Sequence, residues 1–63
     1  MVFDKVVALC NGRKISISAL EKECGLANAT IRGWKFSDPR AMNLKKVADY
    51  FGVTMEYLME VEK

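Results

Sequence analysis

Two side chains in the stretch CGLANATIRGWK, residues 24–35, carry recognition chemistry: Asn28 and Arg32. A carboxamide presents a donor beside an acceptor, and a guanidinium presents a rigid fork of N–H donors. Each can therefore make two parallel hydrogen bonds to one planar partner. Ala29 and Gly33 stand beside them and are too small to keep a partner at a distance. At 100° per residue, Ile31 and Trp34 centre one face of a helix; Ala29, Arg32 and Gly33 fall opposite, with Asn28 on the flank. The inner face anchors, and the outer face is nearly bare.

Catalytic chemistry has little material here. Histidine is absent, which excludes Ser–His and Cys–His pairs. Cys10 and Cys24 lie at apolar positions of separate helical patterns and lack the spacing of a zinc site. They read as buried free thiols, small hydrophobes within a core. No metal site and no enzyme activity is expected.

The chain has 63 residues and reads as a single domain over 1–63. A chain of this size buries only about 60% of the surface its unfolded form exposes. A composition of 51% hydrophobic residues still suffices for one core. No apolar run approaches the roughly 20 residues of a membrane span. The start, MVFDKVVALC, lacks the basic region and cleavage site of a signal peptide. A soluble, cytoplasmic protein with no membrane partner is expected.

Charge is unevenly spread. Residues 32–46 hold five basic side chains against Asp38, a net +4, whereas residues 49–63 carry a net −3. A positive segment around the bare face points to a polyanion partner.

The positioning elements follow from helical periodicity. Phe3, Val6, Val7 and Cys10 predict a first helix over 2–11, closed by Asn11 and Gly12. Ser16 is a good N-cap for a second helix over 17–24, with Leu20 and Cys24 inward and Gly25 at its end. The third helix is predicted over 28–35. Pro39 disfavours helix at Asp38, and Asn43 is a candidate cap for a fourth helix carrying Leu44, Val47, Ala48 and Phe51. Gly52 stops it, and Thr54 caps a fifth with Met55, Leu58 and Met59. No strand alternation of useful length occurs. The reading is an all-α, compact five-helix fold.

Helices two and three are joined by Gly25, Leu26 and Ala27 alone, the arrangement of a helix-turn-helix. Ile31 and Trp34 would anchor the second of these helices, and its small outward residues would let its backbone enter a DNA major groove. Trp34 shares the inward face with Ile31, so core packing is favoured over base stacking; Phe36 is either a loop anchor or an exposed contact. Ser16 and Ser18, with the amides at the start of helix two, form a candidate phosphate site, surrounded in sequence by Lys14, Lys35, Ser37, Arg40 and Lys45. Such contacts position a protein without specifying sequence.

Residues 14–58, KISISALEKECGLANATIRGWKFSDPRAMNLKKVADYFGVTMEYL, resemble the helix-turn-helix family of phage Cro proteins and lambda-type repressors (XRE-like). Leu20, Gly25, Thr30-Ile31 followed by Trp34, Pro39, Leu44, KVADYFGV and Leu58 carry the resemblance through their order and spacing. The LEKE and WK variants are similar to a subset in prophages and mobile elements of Gram-positive bacteria. The resemblance implies a lambda-repressor-like fold and sequence-specific binding of a near-palindromic double-stranded DNA operator. It also implies no cofactor and a homodimer, paired either in solution or only on DNA. It places base reading on Ala27, Asn28, Ala29 and Gly33, with Arg32 beside them on the outward face.

The match has departures. Ala27 replaces the usual Ser or Thr cap, leaving Asn28 either to cap the helix or to read adenine. Arg32 could take guanine bidentately, Ala29 could touch a thymine methyl, and Gly33 offers no contact group. Ile17 replaces a polar residue common in relatives. Glu21 replaces a small alanine where the two helices cross, so it is expected to lean outward as a negative charge near DNA.

A repressor is the first reading. The alternative keeps the fold as a protein-binding helical module, of antitoxin or antirepressor type, gripping its partner through Met55, Tyr57, Leu58, Met59 and Val61.

Overall fold

In a computed structural model, residues 2–59 are described. They form α1 (Val2–Arg13), α2 (Ile17–Cys24), a short 3-10 helix (Arg32–Lys35), α3 (Ala41–Phe51) and α4 (Met55–Met59). The described residues include no strand, and no helix among them is long and apolar enough to cross a membrane. Val61 of the predicted fifth-helix face lies outside the described residues.

Every element contributes to one apolar cluster. Val6 and Cys10 enter it from α1, Leu20 from α2, and Ile31 and Trp34 from the segment that follows. Leu44, Val47, Ala48 and Phe51 come from α3, and Leu58 from α4. On α1 the packed stripe includes Val2, Phe3 and Leu9, so it turns away from the predicted Val7. α1 packs against α4 and the 3-10 helix, while α2 packs against α3. Trp34 lies inward, as its register predicts, and Phe36 is 88% exposed.

Helix ends fall where the next apolar residue can fold back onto the core. After α2, the Leu26 and Gly25 amides donate to Glu21 O and Lys22 O at 2.8 and 3.2 Å. After α3, Val53 and Gly52 repeat the pattern onto Ala48 O and Asp49 O. Both glycines sit at φ 71, the left-handed conformation such a closure requires. The same closure ends α1, with Ile15 and Lys14 donating to Cys10 O and Asn11 O. There Lys14 takes the left-handed position at φ 59, and Gly12 stays helical. The predicted stop at Asn11–Gly12 is therefore two residues early. Arg13 follows Gly12 and is polar, whereas Ile15 supplies the apolar contact that fixes the end.

Ser16 caps α2, its Oγ accepting from Ala19 N at 3.0 Å, and Thr54 Oγ1 accepts from Tyr57 N at the same distance to cap α4. The predicted Asn43 cap is not used. α3 begins earlier, after Arg40 in extended backbone, because Pro39 restricts Asp38 alone and Ala41 and Met42 are good helix formers. Arg13 ties the ends of α1 and α3, donating to Phe51 O at 3.2 Å with its guanidinium over the Tyr50 and Phe51 rings.

Leu20 is fully buried in the same apolar cluster as Ile31 and Trp34, which anchor the segment bearing Asn28 and Arg32. Leu20→Ala should cost about 2–5 kcal/mol, a large part of the total stability of so short a chain. Urea unfolding measures this, and a loss below about 1 kcal/mol would contradict the packing described.

Candidate functional site

The segment from Ala27 to Lys35 is not one continuous helix. Residues 28–31 form turns, and regular structure begins only with the 3-10 helix at Arg32. The cause lies at Ala29, which has φ 68. A left-handed residue breaks the helical path, so the predicted helix over 28–35, with its face at 100° per residue, does not form. The turn closes locally: the Ala27 carbonyl accepts both the Thr30 amide at 3.2 Å and the Thr30 hydroxyl at 2.7 Å. Gly33 N donates to Ala29 O, and Trp34 N donates to Ile31 O.

Two large side chains hold this segment down. Ile31 is fully buried and Trp34 nearly so. Ala27, Asn28, Ala29 and Arg32 are exposed, and Gly33 is half-buried. Because Ala29 intervenes, Asn28 and Arg32 are not successive positions of one helix face. Asn28 lines a shallow cleft of about 500 Å³ with Ser18, Glu21, Lys22 and Leu26. The cleft brings Ser18 and Asn28 together and adds Lys22, a cation that sequence reasoning passed over. Arg32 stands apart from the cleft, at the start of the 3-10 helix.

Glu21 corrects the sequence reading most sharply. Instead of leaning outward it is only 3% exposed. Its Oε1 accepts the Ala29 amide at 3.1 Å, and its Oε2 accepts the Ile31 amide at 2.9 Å. Ala27 has no hydroxyl to cap the turn, and the carboxylate from α2 satisfies the amides left over. The signal was present as a missing Ser or Thr at position 27 together with a long acidic side chain one turn before Gly25.

The remaining polar positions are dispersed. Ser16, Ser18, Lys14, Lys35, Ser37 and Arg40 are all exposed. The Ser16 hydroxyl is engaged by its own helix. Ser37 donates to Gly33 O at 3.4 Å, and the Lys35 ammonium lies 5.2 Å from the centre of the Phe3 ring. Lys45 pairs with Asp49 at 3.3 Å, one turn along α3, with both side chains about two-thirds exposed. An exposed pair of this kind contributes little and leaves Lys45 open to exchange.

The thiols are core groups. Cys10 is buried, and Cys24 is half-buried with Sγ 3.8 Å from Lys46 O. Burial pushes both above the ordinary thiol value of 9.0; at Cys24 the neighbouring Cys10 and Glu23 add to the rise and Lys46 opposes it.

Comparison of the chain with protein-family models, with curated proteins and with solved structures gives no match.

A left-handed alanine costs about 1–2 kcal/mol, and a glycine costs roughly 0.5–1 kcal/mol in chain entropy. Ala29→Gly should therefore stabilise the protein by about 0.5–1 kcal/mol, whereas in a continuous helix it would destabilise by about 1. The sign of the shift in urea midpoint decides. For the thiols, the unfolded chain releases its protons at lower pH than the folded chain. Their contribution is whole below the unfolded value and declines as pH rises through the folded ones. Cys10→Ala combined with Cys24→Ala should thus lose less stability than the parent between about pH 8 and about pH 10.

Proposed function

We propose that this chain is a DNA-binding transcriptional regulator of the Cro and lambda-repressor type, acting as a repressor in the cytoplasm. α2 and the 27–35 segment, a turn followed by the 3-10 helix, take the place of its helix-turn-helix. The observation that carries the proposal is the pairing of a firmly anchored inner side, Ile31 and Trp34, with an exposed outer side of small residues around Asn28 and Arg32. A binding surface for duplex DNA needs both properties. The outer side must be low enough for close approach, and the inner side must hold it against the strong pull of phosphates.

The charge distribution agrees with this reading. Five basic residues between positions 32 and 46 are all exposed, and Lys22 adds a sixth cation beside Asn28. Arg32 is assigned to a guanine edge, and Asn28, whose side chain does not cap the turn, is available for adenine. Ala27, Ala29 and Gly33 let the backbone approach. Ser16, Ser18, Lys14, Lys35, Ser37, Arg40 and Lys45 are assigned to phosphates along the flanks. One such unit reads few base pairs, so two copies bind half-sites about 34 Å apart on a near-palindromic operator.

A second reading has an observation of its own. Tyr57 and Met59 on α4 are each about half exposed, and Met59 lines a groove of about 550 Å³ with Ala48, Val53 and Met55 and with the polar Lys45, Asp49, Thr54 and Glu56. This surface suits a partner protein, or the second copy of the chain that an operator-bound dimer needs.

Fluorescence anisotropy of a labelled duplex, titrated at two salt concentrations, separates the readings. Duplex binding through phosphates should be about micromolar for random sequence and weaken steeply with salt, because bound counterions are released. Binding of a partner protein through α4 would be nearly indifferent to salt. On a selected operator, Arg32→Ala should lose about 1–3 kcal/mol of discrimination. Undiminished operator affinity and specificity in both Arg32→Ala and Asn28→Ala would overturn the assigned reading face.

A further inference from the structure

Glu21 is the buried charged side chain among the described residues, and it sits behind the surface assigned to DNA. A carboxylate is costly to bury unless its oxygens are hydrogen-bonded. Both of its oxygens are occupied, by the Ala29 and Ile31 amides, and no buried side-chain polar atom among the described residues lacks a partner. The bonds reach eight and ten residues along the chain, from the interior of α2 to the turn before the 3-10 helix.

That turn is closed by the two Thr30 hydrogen bonds to the Ala27 carbonyl, which leave the Ala29 and Ile31 amides unsatisfied. It lacks the ladder of a regular helix, Ala29 is left-handed, and Ala27 and Ala29 carry only exposed methyl groups. Its attachments to the rest of the protein are the Ile31 side chain in the core, Leu26 and Trp34 on either side of it, and the Glu21 carboxylate. Apolar side chains fix points along the segment but do not set the orientation of the Ala29 and Ile31 peptide groups between them. Two charge-assisted hydrogen bonds, on amides either side of Thr30, remove that freedom.

Resting on the DNA-binding reading, we infer that Glu21 is the positioning residue of the reading segment: its carboxylate, by clamping the Ala29 and Ile31 amides to α2, sets where Asn28 and Arg32 stand. The amides at the start of the segment already hold an anion, so a DNA phosphate has no docking place there. Phosphate contact is displaced outward, to the Ser18 and Lys22 side of the cleft that Glu21 and Asn28 also line. The acidic residue therefore contributes to selectivity without touching DNA.

Glu21→Gln tests this, because the amide keeps one acceptor but turns an N–H donor toward the other backbone N–H. Glu23→Gln is the control, since it removes the same charge from an exposed position on the same helix. Each variant is titrated against the selected operator and a random duplex, and amide exchange is followed by NMR. Glu21→Gln should weaken operator binding about tenfold or more while random-duplex binding stays within about twofold. Exchange at Ala29 and Ile31 should rise about tenfold with that of Val47 unchanged. Glu23→Gln should leave the operator-to-random ratio as it is. An unchanged ratio in Glu21→Gln overturns the inference. If that variant fails to fold, the unaltered protein decides, because rapid exchange at Ala29 and Ile31 there overturns the clamp. A parent that binds neither duplex overturns the DNA-binding reading instead, and the exchange data still decide whether Glu21 holds the turn.

Discussion

An α-helix leaves four amides at its start and four carbonyls at its end without internal partners. In α2, which has eight residues, those two sets span the whole element. A small chain built from short helices is therefore governed by how its ends are satisfied. Ser16 and Thr54 cover helix starts with hydroxyls, and the backbone closures after Arg13, Cys24 and Phe51 cover helix ends. Each closure also turns an apolar residue, Ile15, Leu26 or Val53, against the core. Hydrogen bonding and burial are thus met by the same few residues, and the order of elements in space follows from where those residues occur.

The Glu21 clamp solves the same problem at longer range. Where position 27 provides no local cap, a side chain from the preceding helix supplies the acceptors. The consequence is mechanical as well as energetic. α2, buried through Leu20, and the turn, buried through Ile31, become one unit, and the exposed Asn28 and Arg32 are carried by it. An exposed surface of small residues has few contacts of its own to stiffen it. Stiffness has to come from behind, and here it comes from a buried carboxylate, an isoleucine and a tryptophan.

Much of this architecture was legible in the chain. The 3.6-residue repeat of Leu44, Val47, Ala48 and Phe51 located α3, and Ser16 with Gly25 bounded α2. Trp34 was readable as a core residue from its register with Ile31. The misreadings have two sources. The end of α1, the unused Asn43 cap, the broken helix at 28–31 and the burial of Glu21 each depend on a partner distant in sequence or on competition between neighbouring signals. Gly12 is a good helix stop in isolation, but it loses to Lys14 because only Ile15 reaches the core.

The sequence by itself determined the helical class, most of the apolar positions that form the core (Val7 and Met59 excepted), and the type of chemistry available: a carboxamide, a guanidinium and a belt of cations, with no imidazole. These are properties of residue identity and local period, and they need no knowledge of neighbours in space. Tertiary structure alone decided which side of α2 Glu21 takes, how the Ala27–Ile31 turn is held, and that Asn28 shares a cleft with Ser18 and Lys22. A long acidic side chain can lie in water or reach inward. The choice depends on whether two orphaned amides, eight and ten residues further on, are brought within hydrogen-bonding distance.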